Sequence, residues 1–167
     1  MKDINMISKT IFEIAQALAE NQELQRLLII DSPDVLKAPF RPRNLNELLK
    51  DEYISLAPFV ENGKIEIKRN TLLLVRLEDI SFEEEEEADV KGSIYIATDK
   101  DHVLIDDNKN RLFEMINQVL HSIDSRKFSA AGKVEIYYTH PITYSEFTFG
   151  YRIMFRFSDQ FHRKAEL

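Results

Sequence analysis

The sequence predicts an α+β domain: one mainly antiparallel sheet of about five strands, two β-hairpins plus a further strand, packed by two amphipathic helices. Three observations predict it. Apolar residues recur at helical spacing in two separated stretches, near the N-terminus and between residues 110 and 123. Period-two alternation dominates the stretches on either side of the second helix. No segment repeats, so a solenoid or propeller is not indicated.

In the first element, Ile7, Ile11, Ile14, Ala15 and Leu18 line one face, with Lys9, Thr10, Glu13 and Gln16 on the others. Asn21 interrupts the pattern and Leu24, Leu27 and Leu28 resume it, which fits one helix with a break or two in succession. From 31 to 43 the chain holds Pro33, Pro39 and Pro42 and is expected to form an extended or looped connector, since each proline lacks a backbone donor and disfavours helix at the residue before it. Asn44 followed by Glu47 has the spacing of a capping box, so a short helix is expected from Leu45 to about Lys50.

Ile65 and Ile67 alternate with charged residues and lead through Arg69-Asn70 into the run Thr71 to Leu77, a pattern that reads as a hairpin. That register sets Ile67 against Leu72 and Ile65 against Leu74, leaving Leu73, Val75 and Leu77 to the opposite face. Val90, Ile94 and Ile96 then mark a third strand ending near Ala97. Asp106 and Asp107 are candidate caps for a helix carrying Leu112, Met115, Ile116, Val119, Leu120 and Ile123 on one stripe. After Gly132 a strand with Val134, Ile136 and Tyr138 is expected to turn at His140-Pro141. In the last strand Phe147, Phe149, Tyr151, Ile153, Phe155 and Phe157 occupy every second position, the expected sheet core and subunit contact. Run from Tyr144 to Ser158 it would span about 50 Å, more than twice a usual strand, so it must bend at Gly150 or reach beyond its own domain.

At 167 residues the chain fits a single domain, 1–167, interrupted by the Pro-rich connector at 31–43 and an acidic loop at 78–90. The net charge of −7 resides in that loop. Glu78, Asp79, Glu83, Glu84, Glu85, Glu86, Glu87 and Asp89 are eight acids with no base among them, and without them the remainder has a net charge of +1. A nearly neutral body with one acidic projection argues against wrapping of nucleic acid by the whole surface. No apolar run approaches the roughly 20 residues of a membrane-spanning helix, so a soluble, intracellular start and no membrane partner are expected.

The absence of cysteine excludes disulfides, zinc–thiolate sites, iron–sulfur clusters and thiol catalysis. His102, His121, His140 and His162 lack the spacing of metal ligands, and the four glycines are too scattered for a phosphate loop; neither metal nor cofactor is expected. Pro33-Asp34 with Glu66-Ile67-Lys68 superficially matches the PD…ExK arrangement of metal-dependent nucleases, in which two carboxylates and a lysine converge on a divalent ion. Glu66 and Lys68 are equally explained as the solvated side of a strand, and no enzymatic activity is expected.

Taken together, Asn21-Gln22-Glu23-Leu24, Leu27-Leu28-Ile29-Ile30-Asp31, Pro33-Asp34-Val35-Leu36, Gly92-Ser93-Ile94-Tyr95-Ile96, the helix Asn110 to Ile123, Phe149-Gly150-Tyr151-Arg152-Ile153 and Phe157-Ser158-Asp159 give the chain a resemblance. In order and character they resemble the tail-terminator and head–tail joining proteins of tailed bacteriophages. The resemblance implies a tail-terminator-like subunit of a ring, usually a hexamer, in the neck or tail of the virion, made in the host cytoplasm. It implies tail tube and capsid connector as partners, DNA only in transit through the channel, and no catalytic residues. The Pro-rich connector and the five glutamates depart from a minimal member. Within such a ring Glu83, Glu84, Glu85, Glu86 and Glu87 would line the lumen or face a partner, where like charge keeps a polyanion from adhering. The competing reading is a small acidic dimeric chaperone that binds an extended client along a sheet edge.

Overall fold

The computed structural model describes residues 5–56, 70–82, 87–128 and 132–160. The architecture is α+β: a five-stranded, mainly antiparallel sheet with helices packed on one face. Helices α1 (Asn5–Glu20) and α2 (Gln22–Ile29) are two in succession, divided at Asn21. The Asn21 side chain caps α2 by accepting from Leu24 N (3.0 Å), while its Nδ2 donates to Gln118 O (3.2 Å) and Ser122 Oγ (3.0 Å) on a distant helix. The residue that interrupts the pattern is therefore the one that fastens it to the next layer.

The connector is held by side chains of α2. Gln25 is buried; its Nε2 donates to Arg43 O (2.8 Å) and its Oε1 accepts from Arg43 N (2.9 Å), satisfying backbone groups that a proline-rich segment cannot pair with itself. Arg26 donates to Ala38 O (2.7 Å) and lies over the Phe40 ring. Helix α3 (Leu45–Lys50) follows, with both bonds of the expected Asn44/Glu47 capping box at 2.9 Å.

The sheet runs β1-β2-β3-β7-β6. Its strands are β1 (Ile54–Leu56), β2 (Thr71–Ser81), β3 (Glu87–Asp99), β6 (Glu135–Thr143) and β7 (Thr148–Gln160). A two-stranded ribbon, β4 (Leu104–Ile105) with β5 (Lys109–Asn110), precedes α4 (Arg111–Ile123). Strand β1, only three residues long and absent from the pattern analysis, pairs in parallel with β2. The expected partner strand through Ile65 and Ile67 lies outside the described residues. Leu73 and Val75 face the helical layer and Leu72 and Leu74 the other side, and all four are buried. Among the described residues that layer contains the four helices α1 to α4.

Three expectations are corrected. Asn110, not Asp106 or Asp107, caps α4, accepting from Leu112 N (2.9 Å); Asp107 sits at φ 62° in the turn that joins β4 to β5. The chain does not turn at His140-Pro141: β6 continues through both to Thr143, and Pro141 is tolerated because β6 is an edge strand. The last strand begins at Thr148, so Phe147 lies before it and is 50% exposed, with the Lys100 ammonium 4.7 Å from its ring centre.

The length of β7 has a local explanation. It is paired without a break to the equally long β3, from Glu87↔Gln160 to Asp99↔Thr148, and it lies centrally in its own sheet. A Cβ at Gly150 would lie 1.8 Å from Ile96 O, and one at Gly92 would lie 2.4 Å from the Phe155 ring, so these two glycines set how closely the strands and core rings approach. Ile153, Phe155 and Phe157 are buried beneath the helices; Phe149 and Tyr151 pack against that core from its margin. A fully buried phenylalanine contributes up to about 3 kcal/mol.

Arg111, the first residue of α4, is fully buried. Its Nη1 donates to Leu27 O (2.6 Å) and Ile30 O (2.8 Å) at the end of α2, and its Nε to His102 O (2.8 Å). Burial lowers its pKa, partly offset by the charges of Asp31 and Asp99. Arg111→Met should lower the free energy of unfolding by about 3 kcal/mol, since hydrogen bonds to a charged donor are lost and carbonyls are left buried and unpaired; urea unfolding followed by far-ultraviolet dichroism measures it.

Candidate functional site

The sheet face turned away from the helices carries a polar network. Alternation puts Arg76 of β2, Ser93 and Tyr95 of β3, and Arg152 of β7 on this face, and the ladder sets Arg76 opposite Ser93 and Tyr95 opposite Arg152. The β2–β3 register shifts between Leu77 and Asp79, and the extra residue, Glu78, reaches the same network. The Tyr95 hydroxyl donates to Glu78 Oε1 (2.8 Å), and Arg152 Nη2 lies 3.1 Å from the same oxygen. Arg152 Nε donates to Ser93 Oγ (3.0 Å), and its guanidinium lies 5.7 Å from the centre of the Tyr95 ring.

The electrostatics follow from this geometry. Burial acts to raise the Glu78 pKa, but the Tyr95 and Ser93 hydroxyls and the charges of Arg152 and Arg76 outweigh it and hold the carboxyl below its ordinary value. Tyr95 is pushed up by burial and by its bond to that carboxylate. Tyr144 is pushed up by burial, with Tyr95 adding to the effect. Three polar atoms on or beside this face are buried without a hydrogen-bond partner: Arg76 Nε, His140 Nδ1 and the Tyr144 hydroxyl. Arg76 forms no hydrogen bond or ion pair with any described residue, leaving two guanidinium groups beside one carboxylate. Tyr138, 57% exposed, and Tyr137, 42% exposed, lie on β6 beyond Arg152.

The residues expected to matter are distributed differently. Glu83, Glu84, Glu85 and Glu86 lie outside the described residues, and Glu87 opens β3, opposite Gln160. The acidic segment is narrower as a loop than expected, because 78–81 and 87–90 belong to strands; Asp79 stands opposite Lys91, and Lys91 pairs with Asp89 at 3.7 Å. Phe149, Tyr151, Ile153, Phe155 and Phe157 face the chain's own core, so the network is assembled from the intervening polar positions. Asp34 is exposed in the connector and bonded by the Ser32 hydroxyl; Glu66 and Lys68 lie outside the described residues. Among the described residues no group of three or more His, Asp or Glu side chains could hold a metal ion. His102 instead bonds Asp99 at 2.6 Å, and Asp99 caps the turn that contains it. No described helix is long and apolar enough to cross a membrane.

Pattern analysis missed Arg76, Glu78, Ser93, Tyr95, Tyr144 and Arg152 as a group. The available signal was Arg76 and Arg152 at polar positions of otherwise apolar strands, but the register that unites them spans three strands, of which β7 lies far along the chain from β2 and β3.

These features define an α+β protein with a helix-covered core face and an opposite sheet face bearing a charged network. The chain belongs to the YomW family, whose model matches residues 21–157. The family carries a phage-derived name. No curated protein matches it.

Glu78 also links the network to pH. Because its folded pKa is depressed below the ordinary 4.5, its contribution to stability is present above that value and is lost as pH falls through the folded value. The stability advantage of wild type over Glu78→Gln should therefore narrow between pH 7 and pH 3, as read from paired urea titrations.

Proposed function

We propose that the protein is a structural component of the phage particle that acts as a closed ring of identical subunits. In this reading it is a tail terminator or head–tail connector component of the neck or tail. It caps the tail tube, joins it to the capsid connector and leaves a channel through which DNA passes. The acidic run faces the lumen or a partner. No covalent chemistry is part of this function.

The observation that carries the reading is the β6 edge. It is nine residues long, pairs with β7 on one side only among the described strands, and exposes Tyr137 and Tyr138. Such an edge is a ready template for another chain. A subunit that contacts its neighbour through two different surfaces makes a heterologous interface, which closes into a ring when the rotation permits. Membership of a family with a phage-derived name and the resemblance to neck and tail proteins support the same conclusion.

The same edge also supports the second reading, a dimeric assembly chaperone, because an extended client can add to it as a sixth strand. Light scattering across concentration with negative-stain imaging separates the two: a closed ring with a central hole supports the connector, and a strict dimer favours the chaperone. Tyr137→Lys with Tyr138→Lys should reduce the assembled fraction at least tenfold while leaving the dichroism spectrum unchanged. Rings that persist in this double variant would remove β6 from the contact.

A further inference from the structure

The half-buried Arg76 is the group on the outer sheet face that the fold leaves unserved. Its Nε is buried without a partner, and in the same region the Tyr144 hydroxyl and His140 Nδ1 are also unmet. The Nε is a donor removed from water without an acceptor, and an oxyanion placed beside it would accept a charge-assisted hydrogen bond. Glu78 meets Arg76 only through its charge: its Oε1 takes the Tyr95 hydroxyl and Arg152, and no hydrogen bond joins it to Arg76. The network therefore has one cation more than it has anions, with donors already oriented.

We propose that the face around Arg76, Arg152 and Tyr144 receives a carboxylate-rich segment, and that its occupant is the glutamate run, residues 83–87, of a second copy of the chain. Three observations on this molecule select that occupant. The run contains five consecutive carboxylates, whereas the receptor face carries the guanidinium groups of Arg76 and Arg152 against the one carboxylate of Glu78, so charge complementarity lies between these two parts of the same protein. Strand β2 ends at Ser81, five residues and about 17 Å along the strand from Arg76, so the end of β2 that precedes the run is displaced from the receptor face. The receptor is also continuous with the β6 edge, since His140 is opposite Arg152 in the ladder. A neighbour added along β6 passes beside it. The inference rests on the self-assembly reading and specifies its contact: loop to face, which is heterologous and suits a ring.

Two variants test it. Arg76→Glu gives an acidic receptor with an acidic loop, and conversion of Glu83 to Glu87 to lysine gives a basic loop with a basic receptor. Each alone should be monomeric by light scattering at concentrations where wild type assembles, and an equimolar mixture should recover assembly, because each loop then meets a receptor of opposite charge. Assembly by either variant alone while wild type forms rings overturns the inference and leaves the ring reading standing. So does a mixture that fails to assemble although both variants keep the wild-type dichroism and melting temperature, as it would if the contact formed within one chain. Arg76→Gln is the alternative should Arg76→Glu not fold, with a reduced assembled fraction expected. A fluorescent peptide of residues 80–90 provides a readout independent of assembly. Binding to wild type at least tenfold tighter than to Arg76→Gln, and lost when its glutamates become glutamines, supports the receptor even if wild type stays monomeric, in which case only the ring reading falls. Equal binding to both proteins overturns it, and competition by inorganic phosphate at low millimolar concentration in place of the peptide would assign the site to a free anion instead.

Discussion

The buried guanidinium of Arg111 is the constraint around which the helical layer is organised. It has no carboxylate within ion-pair distance among the described residues, and its charge is balanced by backbone carbonyls at the end of α2 and in the segment leading to α4. The C-terminal end of a helix carries partial negative charge, which gives a buried cation there a favourable field. The same bonds satisfy carbonyls that the end of α2 cannot pair internally. One side chain thus fixes the end of α2, the entry to the proline-rich connector and the start of α4, while Asn21 fixes the opposite end of α2 to α4 through Gln118 and Ser122. Two polar pins place α2 against α4, and apolar packing then fills the space beneath them.

The sheet divides its chemistry between its faces. Toward the helices it offers Val90, Ile94, Ile96, Ile153, Phe155 and Phe157, a continuous apolar surface whose burial supplies much of the driving force for folding. On the other side the same strands carry Arg76, Ser93, Tyr95 and Arg152, joined by the bulged Glu78. Polar groups in such a position are retained at a cost unless they are fully satisfied. Here Tyr95, Glu78, Ser93 and Arg152 satisfy one another and Arg76 does not share in their bonds. The bulge thus aims a carboxylate into a half-buried network, beside a guanidinium whose Nε has no hydrogen-bond partner.

Length in the central strands acquires its meaning from pairing. A strand of thirteen residues would be anomalous alone, but β3 and β7 are matched in length and paired throughout. The excess negative charge is concentrated in the sequence between Glu78 and Asp89, while the rest of the chain is close to neutral. An uneven distribution of this kind directs association between unlike surfaces more than it stabilises a fold.

By itself the sequence determined the class of fold, the extent of the long helices, the Asn44 capping box, the third strand and the inward-facing aromatic alternation of β7, because each depends on residues within a few turns or a few pleats of one another. It also determined where the negative charge lies. The tertiary structure decided what depends on distant partners. Asn110 outcompetes Asp106 and Asp107 as a cap because the β4–β5 ribbon fixes where α4 begins. His140-Pro141 continues a strand because β6 lies at an edge, where a missing donor costs no ladder bond. Phe147 belongs to the surface although it continues the alternation, since β7 starts one residue later. The outer-face network was illegible for the same reason: Arg76, Tyr95 and Arg152 become neighbours only through a register linking three strands, and a register is set by the packing of the opposite face.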